Sequence, residues 1–406
     1  PKIEALNRFS GKGSGTPWDP YIITNVKQLQ EMKYDLKAYY VLGNDIDASE
    51  TRYWNNGQGF EPIGDIDNPF TGSFDGRGYK IYNLYINRAR DLVGLFRAVG
   101  GLGIIKNIGL ENVTIITDGY YSIGGLVGYN FGTIYNVYST GTIKGVRFAG
   151  GLVGLNEGTV YNSYSKVSVN GISEVGGLVG WNYYEGTVYN SYSMASVNGR
   201  EKVGGLVGEN LGTIYNCYSM ASVNGIDKVG GLVGVNDRGK IYNCYSIGTV
   251  VGKWNVGGLV GVNEGTVANS FWDIEKSGLT ISAGGTGKTT AEMKNVRTYT
   301  DVAWSKGLIY PWDFVGNPYD DKGIEDVWDI DPNINDGYPY LTNIKIGESP
   351  KVNVKGKGFD EISWLLYIIF AGVIGGMIAI LFILIRKLKA LRLQNVNPRY
   401  NNQKLR

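Results

Sequence analysis

Between residues 124 and 271 the apolar and polar positions recur as a block. Gly-Gly-Leu-Val-Gly opens at Gly124, Gly150, Gly176, Gly204, Gly230 and Gly257, so successive blocks are 26, 26, 28, 26 and 27 residues apart. Each continues with Asn, then Gly-Thr-Ile/Val-Tyr-Asn or a close variant, then Tyr-Ser and Val-x-Gly. A degenerate earlier copy runs from Leu92 through Ile105-Lys106-Asn107 to Leu110-Glu111-Asn112-Val113, which makes seven units. Apolar residues at three- and four-residue spacing, the mark of a helix, are missing. Each unit instead holds three short β-type runs, such as 126–127, 133–138 and 196–197, divided by Gly or Asn. The pattern predicts an all-β fold, a right-handed parallel β-helix in which each strand pairs with its equivalent one coil later. At about 4.8 Å per coil the repeats make a rod of roughly 34 Å. One unit cannot bury its Leu, Ile/Val and Val alone, but the stack can.

Vertical alignment turns equivalent positions into columns. Asn130, Asn156, Asn182, Asn210, Asn236 and Asn263 form one, and Asn136, Asn162, Asn190, Asn216, Asn243 and Asn269 another. Amides stacked at strand spacing hydrogen-bond along the column, and Asn tolerates the left-handed backbone that corners require, so both columns read as structural. Two aromatic columns are the candidate partner contacts. Tyr135, Tyr161, Tyr189, Tyr215 and Tyr242 form the first; Tyr138, Tyr164, Tyr192, Tyr218 and Tyr245, continued by Phe271, form the second. If Asn136 and its equivalents sit at a corner, both columns face outward; otherwise one is inside. Outward Tyr suits glycans or other surface proteins, while bracing of neighbouring strands is the plainer role.

The flanks do not repeat. Residues 1–90 read as an N-terminal capping region with irregular first coils. Within it, Asn25-x-x-Gln28 followed by Val26, Leu29, Met32 and Leu36 predicts a short amphipathic helix over the first coil. Residues 91–271 are the repeats, and 272–345, with Trp272, Trp304, Trp312 and Trp328, read as a C-terminal cap on the last coil. A stalk (346–363) leads to a charge-free run at 364–385, long enough as a helix to cross a bilayer. Gly372 and Gly376 within it have the spacing of a helix-contact face, hence of an oligomer formed through the span.

Composition adds the environment. Gly is 61 and Tyr 30 of 406 residues, which suits strands joined by tight turns. The formal charge of +2 hides an asymmetry: residues 386–406 carry seven Lys/Arg and no acid, leaving 32 basic against 37 acidic residues before them. The positive-inside rule places that tail in the cytoplasm and the rod outside a single-pass cell-membrane anchor. A first residue of Pro rather than Met fits removal of a secretory signal. The mildly acidic remainder gives no reason to expect nucleic acid. The sequence has no His, which removes His-based triads, HExxH zinc sites and most general-base arrangements, while carboxylate-dependent chemistry survives.

Gly-Gly-Leu-Val-Gly-x-Asn followed by Gly-Thr-Ile-x-Asn-Cys-Tyr-Ser resembles the GLUG repeat of bacterial and archaeal cell-surface proteins. The stretches Asp19-Pro20-Tyr21-Ile22-Ile23, Phe70-Thr71-Gly72-Ser73-Phe74-Asp75-Gly76 and Gly337-Tyr338-Pro339-Tyr340-Leu341 are similar to those proteins too. The resemblance, over roughly residues 10–345, implies a solenoid and surface exposure but no single activity.

Smaller motifs carry competing readings. Gly284-Gly285-Thr286-Gly287-Lys288-Thr289-Thr290 resembles a phosphate loop whose required first Gly falls on Ser282; a helix start at Thr289 explains it. Asp329, Asp331, Asn333 and Asn335 alternate like a Ca²⁺ loop, without the Gly and Glu of an EF-hand, and Asp65, Asp67 and Asp75 make a weaker set. No other cofactor is expected. Asn112-Val113-Thr114 is the one glycosylation sequon. Cys217 and Cys244 occupy equivalent sites in successive coils and are expected as stacked thiols rather than a disulfide. Together these readings describe a non-enzymatic structural or adhesive surface rod. The alternatives are an accessory extracellular subunit of a larger membrane complex and, third, a carboxylate-dependent polysaccharide-cleaving enzyme.

Overall fold

The computed structural model describes residues 9–119, 121–316 and 326–344. Within them the chain winds into a parallel β-solenoid of about seven turns. One face is a seven-stranded sheet in which Phe96–Val99 precedes the six Val-Gly-x-Asn runs from Val127–Asn130 through Val260–Asn263. A second is six-stranded, from Tyr121–Gly124 to Trp254–Gly257. The remaining strands, among them Thr133–Lys144 and Thr187–Ser193, form one long third face. Register is strict: Val127 pairs with Val153 and Val153 with Val179.

The lumen is apolar and closely filled. One coil contributes Ile123, Leu126, Val127, Ile134, Val137 and Ile143, all buried, twice the three per coil expected from the pattern. Each is worth about 1.5–3 kcal/mol when fully buried. The Gly-Gly pairs exist because the chain passes close to its own backbone: a Cβ on Gly150 or Gly176 would collide with the carbonyl oxygen of Val153 or Val179.

Two polar columns fix the corners. Asn130, Asn156, Asn182, Asn210, Asn236 and Asn263 form a continuous amide ladder, each Nδ2 donating to the next Oδ1 at 2.8 Å. The second column, Asn107, Asn136, Asn162, Asn190, Asn216, Asn243 and Asn269, adopts left-handed backbone, with φ between 46° and 54°. These residues turn the long face, as expected. A third left-handed column was not foreseen: Ser122, Phe148, Glu174, Lys202, Lys228 and Asn255, with φ between 49° and 58°. None of the six is β-branched, the class for which this conformation is most strained.

The front is closed by the helix Val26–Glu31, whose Val26 and Leu29 join the core with Met32 of the following turn. Asn25 accepts from the Gln28 backbone as expected, while the Gln28 side chain reaches Thr24 rather than Asn25. The rear differs from a simple lid. Thr286–Lys288 pairs in parallel with Phe271–Asp273, closing the last coil, and a capping box of Thr289 and Glu292 starts the helix Thr290–Met293. The segment beyond then returns along the flank of the rod, where Trp328 meets Tyr218 and Tyr245. The 364–385 span, with Gly372 and Gly376, lies outside the described residues. Among those residues no helix is long and apolar enough to cross a membrane.

Candidate contact faces

Because Asn136 and its equivalents occupy a corner, the strand alternation restarts there and both Tyr columns point away from the lumen. In the first, Tyr135, Tyr161, Tyr189 and Tyr215 stack at 4.8–4.9 Å with nearly parallel rings, and Tyr242 follows in register. These five are half-buried. Burial, with Tyr135 and Tyr189 adding, pushes the Tyr161 hydroxyl up to about 12.

The second column is corrected by the structure. Tyr138, Tyr164, Tyr192, Tyr218 and Tyr245 stack at 4.7–5.1 Å but are at most 4% exposed, so they are not available to a partner. They belong to a second apolar cluster with Phe271, Tyr299, Trp312, Phe314, Trp328 and Tyr338. The returning segment holds this cluster by specific bonds. Tyr245 donates to the Pro339 carbonyl at 2.5 Å and accepts from Asn335, and Trp312 donates to the Asn269 carbonyl. At the front of the column Tyr138 donates to Glu111, itself paired with Lys80. The Tyr192 and Tyr218 hydroxyls are buried without a hydrogen-bond partner.

The remaining candidates are drawn into structure. Asp329 accepts from Tyr340, Asp331 accepts from the Asn333 backbone and side chain, and Asn335 donates to Tyr245 and Pro339. Turn geometry thus accounts for the alternation that resembled a Ca²⁺ loop. Among the described residues no group of three or more His, Cys, Asp or Glu gathers to hold a metal. Asn112 is exposed, in left-handed backbone, and its amide donates to Asn83. Lys288 of the Gly-rich run is buried in the rear closure, over the Phe271 ring. Cys217 and Cys244 are fully buried thiols, as expected, and burial pushes the Cys217 thiol up.

One further face carries chemistry that column reading passed over. Here the third left-handed column stands beside the x of Gly-x-Asn: Tyr129, Leu155, Trp181, Glu209, Val235 and Val262. Unlike the Tyr and Asn columns, it changes residue from coil to coil. Toward the front it is aromatic, with Tyr121–Phe148 rings 5.5 Å apart, Phe148–Trp181 4.7 Å and Trp181–Tyr183 4.4 Å. Arg147 lies over Phe148 and donates two bonds to Glu174. Lys202 then joins Glu174 to Glu209, and Lys228 pairs with Glu201. Burial pushes the Glu174 carboxyl up, but Arg147 and Lys202 outweigh it and hold the group below the usual range; burial leaves Glu209 raised. Two signals were present in the sequence: these positions refuse to repeat, and the single 28-residue spacing comes from an inserted Tyr183-Tyr184 pair.

Comparison with known proteins fits this architecture. The GLUG motif matches residues 119–144 and 228–251. Halomucin of Haloquadratum walsbyi is 43% identical over 139 residues, 33% of this chain and 2% of halomucin. A protein of Evansella cellulosilytica, provisionally named a Gly-rich membrane protein, is 37% identical over 134 residues, 32% of this chain and 15% of that one. The chain therefore matches only a small part of the curated relatives' length. Among solved structures, a Bacteroides ovatus protein whose name proposes an immunoglobulin A1 protease superposes with a TM-score of 0.53 at 25% identity, covering 81% of this chain and 94% of that one.

Proposed function

We propose that this β-solenoid, which carries the GLUG motif at residues 119–144 and 228–251, is a non-enzymatic structural and adhesive rod of the cell surface, anchored by the 364–385 span with the 386–406 tail inside. The observation that carries this reading is the half-buried Tyr column. It offers the same flat amphipathic side chain coil after coil on a stiff support. Repetition suits weak contacts made many times, where avidity replaces a tight pocket. The names of the relatives, a halomucin and a Gly-rich membrane protein, support a surface setting. Replacing Tyr189, Tyr215 and Tyr242 by Ser should weaken attachment of expressing cells while the rod stays folded. Protease added to those cells should remove the rod and spare the tail. Unchanged attachment with an intact fold sinks the adhesive role of the column; cleavage of the tail sinks the topology.

One observation favours a second reading. The Bacteroides ovatus neighbour carries a protease in its name, which would make this chain a hydrolase or part of one. The lack of His weighs against the commonest protease bases. Turnover of immunoglobulin A1 or a general protein substrate by the purified chain would reverse the preference.

A further inference from the structure

Within a repeat protein, a position that stacks on itself must keep its residue, whereas a position that varies is held by something other than the stack. By that test the face beside the third left-handed column varies, and its aromatic end is concentrated in three successive coils. Tyr121, Phe148, Trp181, Tyr183 and Tyr184 form a connected row of rings, each within 5.5 Å of the next. Tyr121 is 41% and Tyr184 58% exposed, while Phe148 beneath them is 7%. A second short row, Tyr129 and Phe131, lies beside it with centroids 4.1 Å apart, and Tyr129 donates to Glu157. The Trp181 indole nitrogen is buried in the row without a hydrogen-bond partner. The Tyr183-Tyr184 pair has no counterpart in the other coils and accounts for that coil's extra length.

We propose that this aromatic row is a binding platform for a neutral, linear glycan lying along the row of rings. Two features select that ligand. The first is charge: Arg147, Lys202 and Lys228 are each paired with a carboxylate of the same face, and Glu157 accepts from Tyr129, so the face does not call for an anionic ligand. The second is shape. The rings step one coil at a time from Tyr121 through Phe148 to Trp181 and continue within that coil, edge to face, through Tyr183 to Tyr184, so they make an extended apolar surface rather than enclosing a compact group. Pyranose rings in a chain offer matching apolar faces in series, with hydroxyls at their edges for the Glu157 carboxylate and the Arg147 guanidinium. The platform rests on the adhesive reading and supplies its specificity: the Tyr column repeats and can hold a partner anywhere along the rod, while this row exists once and fixes where.

The test uses the full chain in detergent. Neutral hexasaccharides of β-1,4-linked glucose, mannose and N-acetylglucosamine serve as probes, with a hyaluronan hexamer as the charged comparison, read by calorimetry and Trp fluorescence. At least one neutral probe should bind in preference to hyaluronan. Tyr184→Ala and Tyr121→Ala, both at exposed rings, should weaken it by about tenfold or more without changing thermal stability. Trp181→Phe, which keeps the ring and deletes the indole N–H, should fall between. No neutral probe bound by the wild type at millimolar concentration overturns the proposal. So does hyaluronan bound more tightly, affinity indifferent to Tyr184→Ala and Tyr121→Ala, or a protein ligand that these two variants lose while no glycan binds. Cell attachment separates the two readings. Attachment that survives Tyr184→Ala but not the Ser variants of the Tyr column removes the platform and keeps the adhesive rod; wild-type cells that never attach remove the adhesive reading itself.

Discussion

Two columns of tyrosine run through five successive coils, three residues apart in each, with the same stacking distance near 4.8 Å. Tyr189 and Tyr215 remain half-buried, whereas Tyr192 and Tyr218 have lost all contact with water. Inside the repeat, Met194, Met220 and Ile247 pack against one column only. The rest of the cover comes from a stretch that does not repeat, the returning segment whose Trp312, Trp328 and Tyr338 share an apolar cluster with that column and not the other. In a solenoid, place in the coil decides lumen or outside, but outside becomes core wherever a flank is roofed.

The strongest way to break this comparison is truncation. Tyr218→Ala should cost about 3–5 kcal/mol, the range for emptying a large buried aromatic site. Tyr218→Phe should stay within about 1 kcal/mol of wild type, since the lost hydroxyl has no partner to leave behind. Urea midpoints measure both, and a small loss for Tyr218→Ala would mean the roof is not part of the stable fold. Alkaline titration sharpens the contrast further. Burial raises Tyr161 to about 12 and Tyr218 and Tyr245 well above the ordinary value. A raised folded value means the neutral phenol is favoured by folding. That stability is whole below about pH 10 and is lost as pH rises toward the folded values, at about 1.4 kcal/mol for each pH unit crossed. Ultraviolet absorbance should thus show outer tyrosines ionising first and the covered ones only with unfolding. Tyr218→Phe with Tyr245→Phe should move the unfolding step to higher pH. The smallest effect is expected at the half-buried column: Tyr215→Ala should cost about 1 kcal/mol, mostly its ring stacking. A loss matching Tyr218→Ala would erase the distinction between the columns.

The periodic part of this molecule was readable because every coil reports on its neighbours. Period, register, both Asn columns and the buried thiols follow from lining up equivalent residues. So does the helix start at Thr289, whose capping box is local. The roof was not readable. Its contacts join residues far apart, such as Tyr245 and Pro339 at a separation of 94, and one partner of each contact lies outside any repeat. The aromatic row escaped for the opposite reason: attention to what recurs hides positions whose meaning lies in not recurring. The left-handed turns at Phe148, Glu174 and Lys202 were missed because these residue types are not the usual signal; only the lack of β-branched side chains marked them.

The amide ladder from Asn130 to Asn263 also bears on how such a gene can change. Every interior rung accepts from the coil before and donates to the coil after, so interior coils are interchangeable as far as the ladder is concerned. A duplication or deletion of one whole period adds or removes a rung and restores every pairing downstream. An insertion that bulges between rungs, as Tyr183-Tyr184 does between Asn182 and Gly186, leaves the count of rungs intact. A change that removes an Asn while keeping the rest of its coil strands two neighbours at once. Length is therefore inherited in whole steps, and novelty between steps is confined to loops.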